Sequence, residues 1–117
     1  MEPKDSTAES FNSLPTVVET KSFINNAERL LSRAALEELR AAVAQNPTNG
    51  VIIPGSGGVR KMRLALGNRG KRDGARIIYY YNPVTGRVYM LAIYAKNEKI
   101  NLRQAEINAM KALVKRL

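Results

Sequence analysis

Six basic side chains lie within sixteen residues of the sequence, around a loop rich in glycine. Two predicted strands flank this loop, so its charges and those on the strands must be close in space. Because crowded like charges raise the free energy unless an anion lies between them, the arrangement favours contact with a phosphate backbone. A basic hairpin tip that serves only solubility would have the same composition. The six side chains are Lys61, Arg63, Arg69, Lys71, Arg72 and Arg76.

Tyr94 and Lys96, at the end of the last predicted strand, form a second group that could take part in chemistry. Residues two apart on a strand point to the same face, so both side chains are expected on one side of the sheet. A tyrosine or lysine with a lowered pKa can carry protons, and a cation can stabilise charge that develops on a phosphate. A tyrosine packed in the core or at its rim is the alternative interpretation of Tyr94.

Three consecutive tyrosines, Tyr79, Tyr80 and Tyr81, follow Arg76 on the predicted strand. Alternation sends Tyr79 and Tyr81 to one face of the sheet and Tyr80 to the other, with Arg76. Most tyrosines of this kind pack with their polar tip at the edge of a core. One that shares the face of Arg76 could instead stack on a base.

The composition limits the chemistry available to such a surface. The chain has 117 residues and a net charge of +9. Residues 51–100 alone contain ten basic and two acidic side chains. This concentration of positive charge indicates a polyanionic partner. Cysteine and histidine are absent, which excludes a thiol nucleophile, a histidine base and the commonest metal ligands, so neither a metal nor a cofactor is expected. The longest apolar run, VYMLAIYA, is too short to span a bilayer, which predicts a cytoplasmic protein without membrane contact.

The hydrophobic periodicity predicts one α+β domain with the element order β-α-α-β-β-β-α, a mostly antiparallel sheet and an N-terminal helical hairpin. Residues 1–15 are predicted to be a loose arm and residues 16–117 the domain. Ser32 is expected to cap the second helix, and Asn101 and Gln104 have the spacing of a capping box. The predicted elements are strand 16–20, helices 22–32 and 33–46, strands 59–66, 75–81 and 88–95, and a C-terminal helix after residue 101.

Three segments, in this order behind two helices, carry a family resemblance: VIIPGSGGVRKMR, GKRDGARIIYYY and YMLAIYAKNEK. They resemble the RelE/ParE superfamily of toxins, and within it the RelE-type and HigB-type branch from bacterial toxin–antitoxin pairs. The resemblance runs from about Thr16 to the C-terminus. It implies the same α+β fold, an endoribonuclease that cuts messenger RNA in the ribosomal A site, and inhibition by a cognate antitoxin. Such an antitoxin usually has a helix-turn-helix domain, so that DNA is bound only indirectly.

The resemblance also implies how the reaction proceeds. Enzymes of this branch use the 2′-hydroxyl of the substrate as the nucleophile and need no metal. Arg76 matches the strand arginine that faces the scissile phosphate, and Lys96 matches the lysine after the last strand. The arginine expected next is Asn97 here, and the tyrosine of the best-known members is replaced near Arg103. Tyr94 is the candidate substitute for that tyrosine.

The lysines that the family has before its strand arginine have no single counterpart in this sequence. Four residues compete for those roles, and the general base and acid stay open. The residues expected to take part in catalysis are Arg76, Lys96, Tyr94 and Arg63, and those expected to bind RNA are Lys61, Arg69, Lys71 and Arg72.

Two other classes of function are compatible with the sequence. A ParE-like gyrase poison would have the same fold, but the C-terminal surfaces of such toxins lack the basic cluster found here. The missing standard tyrosine makes an RNA- or ribosome-binding module without catalytic activity a credible alternative to the nuclease.

Overall fold

The computed structural model describes residues 14–66, 74–99 and 101–117, and these confirm an α+β fold. Most of the predicted arm, residues 1–15, lies outside them. A two-residue strand, β2, was not predicted, because so short a strand has no periodicity to detect. The elements are β1 (Thr16–Glu19), α1 (Lys21–Leu30), α2 (Arg33–Gln45), β2 (Val51–Ile52), β3 (Arg60–Leu64), β4 (Ala75–Asn82), β5 (Arg87–Ala95) and α3 (Gln104–Val114).

The strands form one five-stranded sheet in the order β1-β5-β4-β3-β2. β1 runs parallel to β5, with Thr16 opposite Arg87, and the other three pairings are antiparallel. β5 therefore has a strand on each side and helices over both faces. This position explains why its sequence is apolar at nearly every residue.

Helices α1 and α2 cover the first face of the sheet. Their buried residues pack on alternate residues of β4, as the 3.6- and 2-residue periods require, and on Val88, Met90 and Ile93 of β5. The predicted cap is confirmed, since Ser32 Oγ accepts a hydrogen bond from Ala35 N at 3.1 Å. The buried residues of this core are Phe23, Ala27, Leu39, Val43, Ala75, Ile77, Tyr79, Val88, Met90 and Ile93.

Helix α3 covers part of the second face, where Val114 packs in a smaller core with Val59, Ile78, Tyr89, Leu91 and Tyr94. The predicted capping box at Asn101 and Gln104 is wrong by two residues. The helix begins at Gln104, and the Glu106 carboxylate accepts a hydrogen bond from Arg103 N at 2.7 Å. A carboxylate is the favoured acceptor at a helix N-terminus, where the macrodipole is positive.

Tyr79 holds the connection between α2 and β2. Its hydroxyl donates to Pro47 O at 2.8 Å and accepts from Gly50 N at 2.8 Å, and the side chain is fully buried rather than at the edge of the core. A Cβ atom on Gly50 would lie 2.7 Å from the hydroxyl oxygen, so only glycine allows this approach.

Candidate active site

Arg76 lies on the second face of the sheet, near the start of the central strand β4. It is opposite Arg63 of β3 and opposite Tyr94 of β5, and opposed residues of antiparallel strands share a face. Its side chain is 5% exposed, and Nη1 donates to Ala75 O at 3.3 Å. A guanidinium group keeps its charge when buried, and a charge sheltered from water attracts an anion more strongly than one at the surface. The position therefore suits recognition of a phosphate.

A bulge in β5 turns Tyr94 towards Arg76. Ile78 pairs with Ala92 whereas Tyr79 pairs with Met90, so Leu91 is an additional residue on β5. Strict alternation from Met90 would place Tyr94 on the first face, among the buried residues under α1 and α2. The additional residue reverses the alternation and places Tyr94 on the second face.

The Tyr94 hydroxyl is buried and has no hydrogen-bond partner within residues 14–66, 74–99 and 101–117. Burial raises the pKa of Tyr94, the charge of Arg76 lowers it, and the carboxylate of Glu106 raises it. With burial dominant, the hydroxyl stays protonated at neutral pH. It suits a proton donor better than a base.

Lys99 and Glu106 adjoin Tyr94, and neither was predicted to belong to the site. Lys99 Nζ is 5.6 Å from the centroid of the Tyr94 ring, within the range of a cation–π contact. It also forms an ion pair with Glu106, the third residue of α3. The hydrogen bond from Lys99 is the largest of the causes that lower the pKa of Glu106. The sequence has no signal for this contact, because only the docking of α3 on the sheet brings Glu106 close to Tyr94.

Lys96 lies in the turn that follows β5. Its backbone N donates to Gly74 O at 2.9 Å, which places the turn beside the entry to β4. The same turn is held to α1 by Arg29, which donates to both carboxylate oxygens of Glu98 at 2.7 and 3.1 Å. This bidentate pair lowers the pKa of Glu98. The backbone of Lys96 thus lies close to the start of β4, where Arg76 is, whereas the side chain of Lys99 contacts Tyr94.

The predicted cationic face of β3 is confirmed. Lys61 is opposite Ile78 and Arg63 is opposite Arg76, so both lie on the second face, and Met62 packs against the first-face core. An open depression of about 430 Å³ is lined by Asn49, Val51, Lys61, Met62 and Arg63. Arg69, Lys71 and Arg72 lie outside the described residues.

Tyr80 shares the face of Arg76, as alternation requires. Its ring stacks on Tyr89, with centroids 6.3 Å apart and planes inclined by 24°, and both rings belong to the core under α3. Packing thus accounts for Tyr80.

Arg60 lies on the first face of β3 and has a structural contact, since its Nη1 donates to Gly50 O at 2.8 Å.

A family model described as the RelE toxin of the RelE/RelB toxin–antitoxin system matches residues 16–117. The chain belongs to the RelE toxin family. Toxins of this family generally inhibit translation by cleaving messenger RNA. The resemblance inferred from the sequence is confirmed. Among residues 14–66, 74–99 and 101–117, none of the helices has the length and hydrophobicity of a membrane-spanning segment.

Solved RelE structures share the fold. The E. coli RelE toxin, as a double mutant in the free state, has a TM-score of 0.57 at 15% identity, covering 89% of this chain and 98% of that one. The isolated E. coli RelE toxin has a TM-score of 0.55 at 14% identity, covering 85% of this chain and 98% of that one. A chain of the archaeal RelE–RelB complex from Pyrococcus horikoshii has a TM-score of 0.51 at 19% identity, covering 71% of this chain and 96% of that one.

Proposed function

We propose that this RelE-family protein is a ribosome-dependent endoribonuclease that acts on messenger RNA in the cytoplasm. The observation that carries the proposal is the position of Arg76, buried on β4 with Arg63 and Tyr94 opposite it on the neighbouring strands. Two cations and one protonated hydroxyl on a single face match the needs of phosphodiester cleavage.

In the proposed reaction, the 2′-hydroxyl of the substrate loses its proton to solvent water, its oxygen forms a bond to phosphorus, and the bond from phosphorus to the 5′-oxygen breaks. The products are a 2′,3′-cyclic phosphate and a 5′-hydroxyl. Because the nucleophile belongs to the RNA, the protein has to stabilise charge and move protons, and we propose that it does so without a metal. Arg76 and Arg63 stabilise the negative charge on the phosphoryl oxygens. Tyr94 donates its proton to the departing 5′-oxygen. The proton that Tyr94 gives to the 5′-oxygen is restored from solvent after the products leave.

The remaining cations are proposed to hold the RNA backbone. Lys61 borders the open depression beside Arg63, and Lys96 lies where the turn after β5 meets β4. Phosphate contacts of this kind fix the position of a strand without selecting its sequence. The loop cations Arg69, Lys71 and Arg72 are proposed to extend the same electrostatic surface.

The proposed partner is a cognate antitoxin, as in the RelE–RelB complex from P. horikoshii. The basic second face has to be covered for the host to survive, so the antitoxin is expected to present an acidic segment to Lys61, Arg63 and Arg76. Opposite charges also speed association, which matters when free toxin is harmful. A helix-turn-helix domain in the antitoxin would provide an indirect contact with DNA.

The test is to map RNA ends on translating ribosomes treated with purified protein. Wild-type protein is expected to give cuts in phase with codons. Arg76→Ala should cleave about a hundredfold more slowly or worse, because a charge-assisted contact worth about 3 kcal/mol is lost in the transition state. Arg87→Ala is the matched control, since Arg87 is an exposed arginine at the far end of the β4–β5 hairpin.

Two outcomes would contradict the proposal. Binding to ribosomes without cuts would indicate an adaptor without catalytic activity, and arrested replication without cuts would indicate a gyrase poison. Full activity of Arg76→Ala at equal protein level would remove Arg76 from the site.

A further inference from the structure

We infer that Lys99 is a phosphate-contacting residue of this site and that Glu106 is its counter-ion until RNA binds. The inference rests on the proposed function, because the anion concerned is the scissile phosphate of the messenger RNA. It changes the interpretation of the turn after β5, where the sequence resemblance points to Lys96 alone.

The first support for the inference is the position of the Lys99 ammonium group beside Tyr94. The ammonium group lies 5.6 Å from the centroid of the Tyr94 ring, and the Tyr94 hydroxyl is within electrostatic range of Arg76. Tyr94 thus has one cation near its ring and another opposite it on β4 that influences its hydroxyl. A phosphate that accepts a hydrogen bond from this buried hydroxyl would be attracted by both cations.

The second support is the way in which Lys99 is held. Glu106 is fixed by its hydrogen bond from Arg103 N, and its other carboxylate oxygen pairs with Lys99. The side chains of Lys99 and Glu106 are only 29% and 27% exposed, so water screens the pair less than a pair at the open surface. The carboxylate keeps the ammonium group over the tyrosine ring while no other anion is present.

The same carboxylate acts against a bound substrate. Glu106 is near enough to influence the Tyr94 hydroxyl, so its charge would repel a phosphate placed there. Lysine is a compact charge on a flexible four-carbon stem, and it can exchange one anion for another without movement of the backbone. Lys99 is therefore expected to leave Glu106 for the phosphate as charge accumulates in the transition state.

A purely structural role for the ion pair makes a different prediction. If the pair only fixed the start of α3, removal of either charge would loosen the site, and both variants would cleave more slowly. If Lys99 contacts the phosphate and Glu106 competes with it, the two variants must change the cleavage rate in opposite directions.

The experiment measures single-turnover cleavage of messenger RNA on saturating programmed ribosomes. Lys99→Met keeps most of the apolar stem and is expected to slow cleavage about tenfold. Glu106→Gln keeps an oxygen that accepts from Arg103 N, and it is expected to speed cleavage about fourfold, the effect of one unit charge at roughly 5 Å in water. Lys115→Met, at the exposed end of α3, controls for net charge and should change the rate less than about twofold.

The outcomes separate this inference from the proposed function. Slower cleavage by both variants, or an unchanged rate for Lys99→Met while Arg76→Ala is inactive, would overturn the role of Lys99 and leave the nuclease intact. If wild-type protein does not cleave, both proposals are wrong. Melting temperatures establish that the variants fold. Should Lys99→Met fail to fold, a slower rate for Glu106→Gln would still overturn the inference.

Discussion

The hydroxyl of Tyr94 is a group for which stability and function make opposite demands. It is buried without a hydrogen-bond partner in the described part of the chain, which costs free energy in the folded state. The chemistry proposed for this site explains why such a group is retained. A hydroxyl that faces Arg76 and stays protonated is ready to donate to an oxygen of the substrate.

Replacing Tyr94 with phenylalanine is therefore expected to stabilise the fold and to slow the cleavage of RNA. The free energy of unfolding should rise by about 1 kcal/mol, because an unsatisfied polar group is removed. For a domain of this size, that corresponds to an increase in Tm of about 4 °C. Cleavage should slow by about a hundredfold through loss of the proton donor. Calorimetry and single-turnover cleavage measure the two effects.

Tyr81→Phe is the matched control, since Tyr81 packs against the first-face core on the other side of the sheet. It should leave the cleavage rate unchanged. If Tyr94→Phe cleaved as fast as wild-type protein, Tyr94 could not be the donor. If it lowered Tm, the hydroxyl would have a partner in solution.

The connection between α2 and β2 depends on Tyr79, whose hydroxyl, unlike that of Tyr94, has two hydrogen-bond partners. Tyr79→Phe should lower the free energy of unfolding by about 2 kcal/mol, because Pro47 O and Gly50 N both lose their partner. Urea denaturation should give a lower midpoint with an unchanged m-value. Tyr81→Phe, the same chemical change on the same strand, should shift the midpoint far less. An equal shift for both variants would mean that the two hydrogen bonds contribute nothing.

The helices and strands were largely predictable from the sequence, and the assembly of the site was only partly so. Alternation along residues 59–66 correctly placed Lys61 and Arg63 on one face. The juxtaposition of Tyr94 and Arg76 depends on the β5 bulge at Leu91, and an apolar strand such as VYMLAIYA has no polar alternation that would reveal an additional residue. Glu106 is distant in sequence from Tyr94, and only the docking of α3 brings them together.

The distribution of charge over the molecule predicts how binding responds to salt. Residues 51–100 have a net charge of +8, and cations that neutralise RNA phosphates release counterions. Affinity for ribosomes should therefore fall steeply as salt concentration rises. Neutralising Arg69, Lys71 and Arg72 together should reduce the slope of log K against log salt by about 2 to 3.

The control for this measurement neutralises Lys21 and Arg33, two exposed cations at the starts of α1 and α2. It should leave the slope nearly unchanged, because these helices cover the face opposite the site. A slope that is the same for wild-type protein and the loop variant would mean that the loop cations serve solubility only.

The parallel pairing of β1 with β5 also determines when the sheet can be completed. Thr20, directly after β1, donates through its hydroxyl to Leu91 O, 71 residues later in the chain. At synthesis rates of roughly 5 to 20 residues per second, about 4 to 14 s separate the appearance of these two residues. During that interval β1 has no strand to join, and Arg76 cannot yet face Tyr94. For a toxin whose proposed target is the ribosome, the candidate site can therefore form only after the chain has been synthesised at least as far as Tyr94.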